Sequence, residues 1–249
     1  TLTLADGSNT LTATNVETVT GGAGNDAVTL GAVQTSGLIT LGDGTDTLTL
    51  ANGTNSVTVT NVETVTGNSG ADTITFGAAV TGVTVSLGAG TDALTLASGT
   101  NDVTVTAVET VTGGTGADTV TLTAALSGGL ITLGAGTDSL TLANGANNLT
   151  VTNVETLTGG TGADTITLGA AQTSGSIALG AGTDSLTLAN GANTLTLGAD
   201  IETITGGTGA DAVTFSEAVS GVVVSLAAGT DTLTLADGSN TLTATNVET

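Results

Sequence analysis

The sequence predicts an all-β protein: a right-handed parallel β-solenoid (β-roll or β-helix) of tandem repeats of about 46 residues, running through 1–249 as one continuous array. Three observations predict it. Four short markers recur in fixed order at one spacing. Aliphatic residues alternate with threonine in short runs, and every run closes on a turn carrying Gly or Asn.

The first marker, Val/Ile-Glu-Thr, places Glu17, Glu63, Glu109, Glu155, Glu202 and Glu248 at successive differences of 46, 46, 46, 47 and 46. The second, Gly-x-Gly-x-Asp or a near match, ends on Asp26, Asp72, Asp118, Asp164 and Asp211. The third, Gly-Thr-Asp, ends on Asp46, Asp92, Asp138, Asp184 and Asp231. The fourth is an Asn turn at Asn9, Asn55, Asn101, Asn147, Asn193 and Asn240. The single extra residue falls where Leu197-Gly198-Ala199-Asp200 replaces Val151-Thr152-Asn153, and reads as a bulge at a turn. Residues 1–18 return letter for letter at 232–249. That identity predicts a higher-order repeat and a window on a longer tandem protein.

Within 47–92 the text parses as Thr-Leu-Thr-Leu, Ser-Val-Thr-Val, Thr-Val-Thr, Thr-Ile-Thr-Phe and Val-Thr-Val-Ser. These are five short strands with Leu, Val and Ile pointing inward and Thr outward. Such strands cannot bury an apolar face singly, so neighbouring units must stack. Two coil plans fit the spacing. Two strands per coil give two and a half coils per unit, with successive units presenting alternate faces. Coils of 26 and 20 residues give two coils per unit and a single Asp ladder. Both stack the Asp26 turn on the Asp46 turn, and likewise Asp72 on Asp92, Asp118 on Asp138, Asp164 on Asp184 and Asp211 on Asp231.

Composition narrows the chemistry. The chain has no Lys, Arg, His, Cys, Met, Trp, Tyr or Pro, and 22 carboxylates give a formal charge of -22. The usual general bases, activated nucleophiles and cationic clamps are missing, which argues against an enzyme. Nucleic acid and anionic membranes require basic side chains to meet phosphate. No apolar run reaches the roughly 20 residues that span a bilayer. Oxygen is the only ligand chemistry present, and it suits hard cations.

Stacked carboxylates about 4.8 Å apart repel by about 3 to 4 kcal/mol at an effective dielectric near 20. A bound Ca²⁺ reverses that sign by accepting six to eight oxygens from carboxylates and carbonyls. The ten turn aspartates are therefore the candidate metal ligands. The Asn turns read instead as ordinary turn formers, and the Glu markers, each after an apolar residue, as structural hydrogen-bond acceptors.

Gly21-Gly22-Ala23-Gly24-Asn25-Asp26-Ala27-Val28-Thr29 matches the nonapeptide Gly-Gly-x-Gly-x-Asp-x-aliphatic-x, as do Gly113 to Thr121, Gly159 to Thr167 and Gly206 to Thr214. Gly67 to Thr75 carries Asn68 at the second glycine, and the turn ending on Asp231 has Ala227-Ala228-Gly229. On these residues the chain resembles the repeats-in-toxin (RTX) calcium-binding proteins. The resemblance implies a parallel β-roll, calcium-dependent folding outside the cell and type I secretion. With the repetition it points to an extracellular structural protein, in a surface filament, surface layer or adhesin stalk, with calcium as cofactor; exposed sheet edges at ends without atypical capping units lead to an expectation of end-to-end self-association. Two alternatives stand beside it: an ice-binding or other surface-binding face built from the Thr rows, and a secretion and folding region of a toxin or secreted enzyme.

Overall fold

The computed structural model describes Thr1–Thr249, which are all-β with no helix. The chain forms two compact units, Thr1–Thr121 and Leu122–Thr249. Each is a parallel β-solenoid in which successive strands alternate between two sheets, so that a strand pairs with the next but one. In the first unit Thr47–Thr49 lies between Ala27–Leu30 and Thr64–Ser69, with Ala27 opposite Thr47 and Thr47 opposite Thr64. In the second, Thr156–Thr158 lies between Ser139–Thr141 and Ser176–Ala178.

Paired residues lie 17 to 21 positions apart, as in Leu2 opposite Val19, Thr18 opposite Leu38 and Ser127 opposite Asn148. Each coil therefore holds two strands. The five strands between 47 and 92 fill two and a half coils. The alternative of 26- and 20-residue coils is overturned, because a coil that long would need a third strand or a loop that the strand spacing leaves no room for. One consequence is that consecutive units use opposite corners: Asp26 and Asp46 precede strands of one sheet, Asp72 and Asp92 strands of the other.

Alternation of apolar and Thr produces the inside and the outside. In Ser56–Thr60, Val57 and Val59 are buried while Ser56, Thr58 and Thr60 are partly exposed. Coil stacking lines the apolar residues into columns, such as Leu48, Val65 and Val85 in the first unit and Leu140, Leu157 and Ile177 in the second, all essentially inaccessible to solvent. Burial of each aliphatic side chain stabilises by about 1.5 to 3 kcal/mol. The outward Thr rows are interrupted. Leu38, 45 % exposed, sits between Thr18 and Thr58, and Leu130 and Val223 also face outward.

The corner before the Glu63 and Glu155 markers is tight, and Asn61 and Asn153 turn it with left-handed φ of 51° and 53°. Asn tolerates that region better than most residues. Where the extra residue enters, at Gly198 to Asp200, the corner is wider. Its cost is confined to offsets of 18, Ser185 opposite Thr203 and Thr194 opposite Ala212. Both sheets stay paired through it, so the insertion is a lengthened corner rather than a bulge within a ladder.

Candidate metal centre

All ten turn aspartates are buried, none more than 1 % exposed. Their burial follows from the turn. A glycine-rich segment leaves one sheet, doubles back and re-enters the other sheet immediately after the Asp, whose side chain points under the corner.

The expected stacking is present in the four pairs that lie within one unit. Asp26 N–H donates to Asp46 Oδ1 at 2.7 Å, Asp72 N–H to Asp92 Oδ1 at 2.7 Å, Asp164 N–H to Asp184 Oδ1 at 2.7 Å and Asp211 N–H to Asp231 Oδ1 at 2.8 Å. A β-bridge between Ala23 and Asp43 joins the first two turns, and equivalents join Thr161 to Ala181 and Thr208 to Ala228. Asp118 and Asp138 carry the same motifs and the same burial, one in each unit.

Each pair sits inside a longer hydrogen-bonded file. On one side, Asn9, Asn55, Asn147 and Asn193 donate both backbone N–H and Nδ2 to Oδ1 of the first Asp. On the other, Glu63, Glu109, Glu202 and Glu248 accept the N–H of the second Asp through Oε2, at 2.7 to 2.8 Å. The Glu markers are thus backbone acceptors, as expected. The Asn turns exceed their expected role: besides forming the turn, they tie one coil to the next. Spacings of 17 from Asn to Asp and from Asp to Glu, or 18 where the extra residue enters, one coil each, are the signal that links the three markers.

One oxygen of each carboxylate is left over. Oδ2 of Asp26, Asp46, Asp72, Asp92, Asp164, Asp184, Asp211 and Asp231 is buried and accepts no hydrogen bond. An unpartnered buried carboxylate oxygen is costly, and the chain has no Lys, Arg or His to neutralise it. Electrostatics register the strain. Burial pushes the Asp46, Asp92 and Asp184 carboxyls above their ordinary values. The hydrogen bond from the preceding Asp N–H partly offsets the rise, and nearby carboxylates, among them Glu63, Glu109 and Glu202, add to it.

Backbone oxygens come close to these carboxylates. A methyl group built on Gly44 would lie 2.5 Å from Gly24 O and 3.0 Å from Asp46 Oδ1. One built on Gly21 would meet Leu41 O and lie 2.7 Å from Asp26 Oδ2. The same close approach of a glycine carbonyl and Asp Oδ1 recurs at Gly90, Gly182 and Gly229. No three carboxylates converge into a cage, so a cation here draws on paired carboxylates plus turn carbonyls. That donor set, all oxygen and anionic, fits Ca²⁺.

Two departures from the motif have structural answers. Asn68, in place of the second glycine, donates Nδ2 to Leu50 O of the neighbouring coil. Ala227 adopts φ of 71° where Gly42, Gly88, Gly134 and Gly180 adopt 88° to 97°. A β-carbon in that region costs about 1 kcal/mol. Ala227→Gly is accordingly expected to stabilise the chain by about 1 kcal/mol, read as a rise in the urea midpoint. An unchanged midpoint would show that the corner carries no strain.

Comparison with known proteins agrees with the geometry. The family model described as RTX calcium-binding nonapeptide repeat (4 copies) matches residues 16–32, 61–78 and 152–171, spans that hold Asp26, Asp72 and Asp164. No curated protein and no solved structure matches the chain. Nonapeptide repeats on a parallel β-solenoid fit an RTX-type β-roll protein.

Proposed function

We propose that this chain is an extracellular structural repeat protein whose β-solenoid is held by Ca²⁺, and that it serves as part of a surface filament, surface layer or adhesin stalk. The observation that carries the reading is the set of eight buried, unpartnered Oδ2 atoms in a chain with no basic residue. Calcium supplies the missing positive charge when bound. The ten turn aspartates hold it, with the glycine carbonyls beside them, and Glu63 and its equivalents orient the second Asp of each pair through its N–H.

The structural role is supported by what surrounds these sites. Two clefts, one lined by Thr29–Val33 and Thr49–Asn52 and one by Asn61–Glu63 and Ala78–Thr81, hold no convergent set of acids, bases or nucleophiles. Outward faces are threonine-rich and punctuated by Leu38, Leu130 and Val223. Those interruptions favour a packing or display surface over an ice-binding lattice, which needs unbroken rows. Repetition itself favours the structural reading, since each added unit extends the array by another copy of the same corner. RTX repeats are typical of secreted proteins, which accords with the millimolar calcium that such sites exploit outside the cell.

Sedimentation velocity and negative-stain electron microscopy with millimolar calcium test the assembly half. Higher-order particles that dissolve on adding chelator are expected. A chain that remains monomeric at about 100 μM, well above the micromolar range of transient contacts, would remove self-association from the proposal.

A further inference from the structure

Among the corner files, the Asn rung stands one coil before the first Asp and has the same shape, yet it is fully satisfied. Asn55, Asn101, Asn147 and Asn193 are buried. Each side-chain amide donates to three oxygens. For Asn147 these are Ala143 O at 3.0 Å, Gly145 O at 2.9 Å and Asp164 Oδ1 at 2.9 Å. Asn55 repeats the pattern with Ala51 O, Gly53 O and Asp72 Oδ1, and Asn193 with Ala189 O, Gly191 O and Asp211 Oδ1. The three acceptors are the carbonyls four and two residues back and the carboxylate of the next coil.

The first Asp of each pair occupies the next rung with the same wiring. Asn147 Oδ1 accepts Leu126 N–H from the preceding coil, just as Asp164 Oδ1 accepts Asn147 N–H. Asn147 N–H donates to the carboxylate ahead, just as Asp164 N–H donates to Asp184 Oδ1. By this correspondence Asp164 Oδ2 takes the place of Asn147 Nδ2. An oxygen stands where the preceding rung has a donor of two protons. The acceptors of the Asn rung have counterparts here: Gly162 O, two residues back as Gly145 O is from Asn147, and Asp184 Oδ1 of the next coil, which approach one point at the methyl position on Gly182. Asp164 Oδ2 is correspondingly without a partner.

We infer that the Asn amide is a built-in substitute for the cation, so that the Asn turn is the metal-free form of the Asp turn, and which of the two residues stands at the rung decides whether that coil depends on calcium. The inference rests on the calcium reading above. It explains why one file contains both kinds of rung. An amide stabilises its rung permanently; an adjacent Asp pair stabilises its own only when an ion is present.

Two reciprocal substitutions in the full chain test it, with calcium stoichiometry measured by equilibrium dialysis and Tm measured in EDTA. Asp164→Asn is expected to bind about one calcium fewer and, in EDTA, to melt about 4 to 8 °C higher than the unsubstituted chain, since an amide donor replaces the unpartnered buried Oδ2. Asp164→Ala removes the same charge without supplying an amide, and no such rise is expected. Asn147→Asp is expected to bind about one calcium more and to melt lower in EDTA. If Asp164→Asn melts no higher in EDTA than Asp164→Ala, or Asn147→Asp takes up no further ion, the equivalence of amide and cation is overturned while the calcium reading stands. An unsubstituted chain that binds no calcium overturns both.

Discussion

Chelating calcium at pH 7 is expected to lower the Tm of this chain by about 20 °C or more, with loss of the β-sheet circular dichroism signal at temperatures where the calcium-loaded chain is folded. Each ion held at 100 times its Kd adds about 2.7 kcal/mol. One ion at each of the four described pairs thus contributes on the order of 10 kcal/mol, and a kcal/mol is worth about 2 to 4 °C for a chain of this size. The pH dependence should change sign with the metal. Without calcium, Asp46, Asp92 and Asp184 have carboxyls raised by burial. Protons therefore bind the folded state more tightly than the unfolded one. Stability from these groups is fully present below the unfolded carboxyl pKa of about 3.9, and is lost as pH rises through the raised folded values. Calcium requires the ionised carboxylates, so its contribution is present at neutral pH and fades on acidification. Melting curves with and without chelator should converge as pH falls from 7 towards 4. A Tm that ignores chelator at pH 7 would defeat the calcium reading. A chelated chain whose stability rises with pH over the same range would show that the buried carboxyls carry no penalty.

Much of the fold is legible in the letters because period-two alternation of Thr with Leu, Val or Ile has only one compact solution once the units repeat. The inward columns Leu48, Val65, Val85 and Leu140, Leu157, Ile177 follow from it directly. Coil size is less legible, because 46 divides by marker spacing in more than one way. Asp26 and Asp46 alone allow both plans. Adding Asn9 and Glu63, at 17 residues from each, leaves only two-strand coils, since each step must then be one coil long. Pairing of the aspartates is visible in the motif, but their burial is not. Asp is usually a solvated turn residue, and nothing local distinguishes a carboxylate pointing under the corner from one pointing out. Asn is hidden for a similar reason. Its turn-forming use is local and readable, whereas its bond to Asp Oδ1 of the next coil depends on a neighbour 17 or 18 residues away.

Gly162→Ala is expected to be among the most damaging conservative substitutions in the chain, and Gly128→Ala shows why conformation alone is not the cause. Both glycines have left-handed φ, 115° at Gly162 and 81° at Gly128. A β-carbon on Gly128 meets nothing within 4 Å, so that substitution carries only the left-handed penalty of about 1 to 2 kcal/mol. A β-carbon on Gly162 would lie 2.6 Å from the carbonyl carbon of Gly145 and 3.0 Å from Ala146 N. Those are backbone atoms of the preceding coil, with no rotamer to yield, so the two turns must part. Adding the overpacking cost gives about 2 to 5 kcal/mol, a fall in Tm of about 10 °C for a chain of this length. Displacing Gly162 also moves its carbonyl oxygen, which on the following coil approaches the same point as Asp184 Oδ1 beside Gly182. Calcium should therefore rescue Gly128→Ala as fully as it does the unsubstituted chain, and Gly162→Ala only in part. Thermal melts of both variants at zero and millimolar calcium separate the cases. Equal losses in the two variants would mean that stacking of the glycine turns does not hold the coils together.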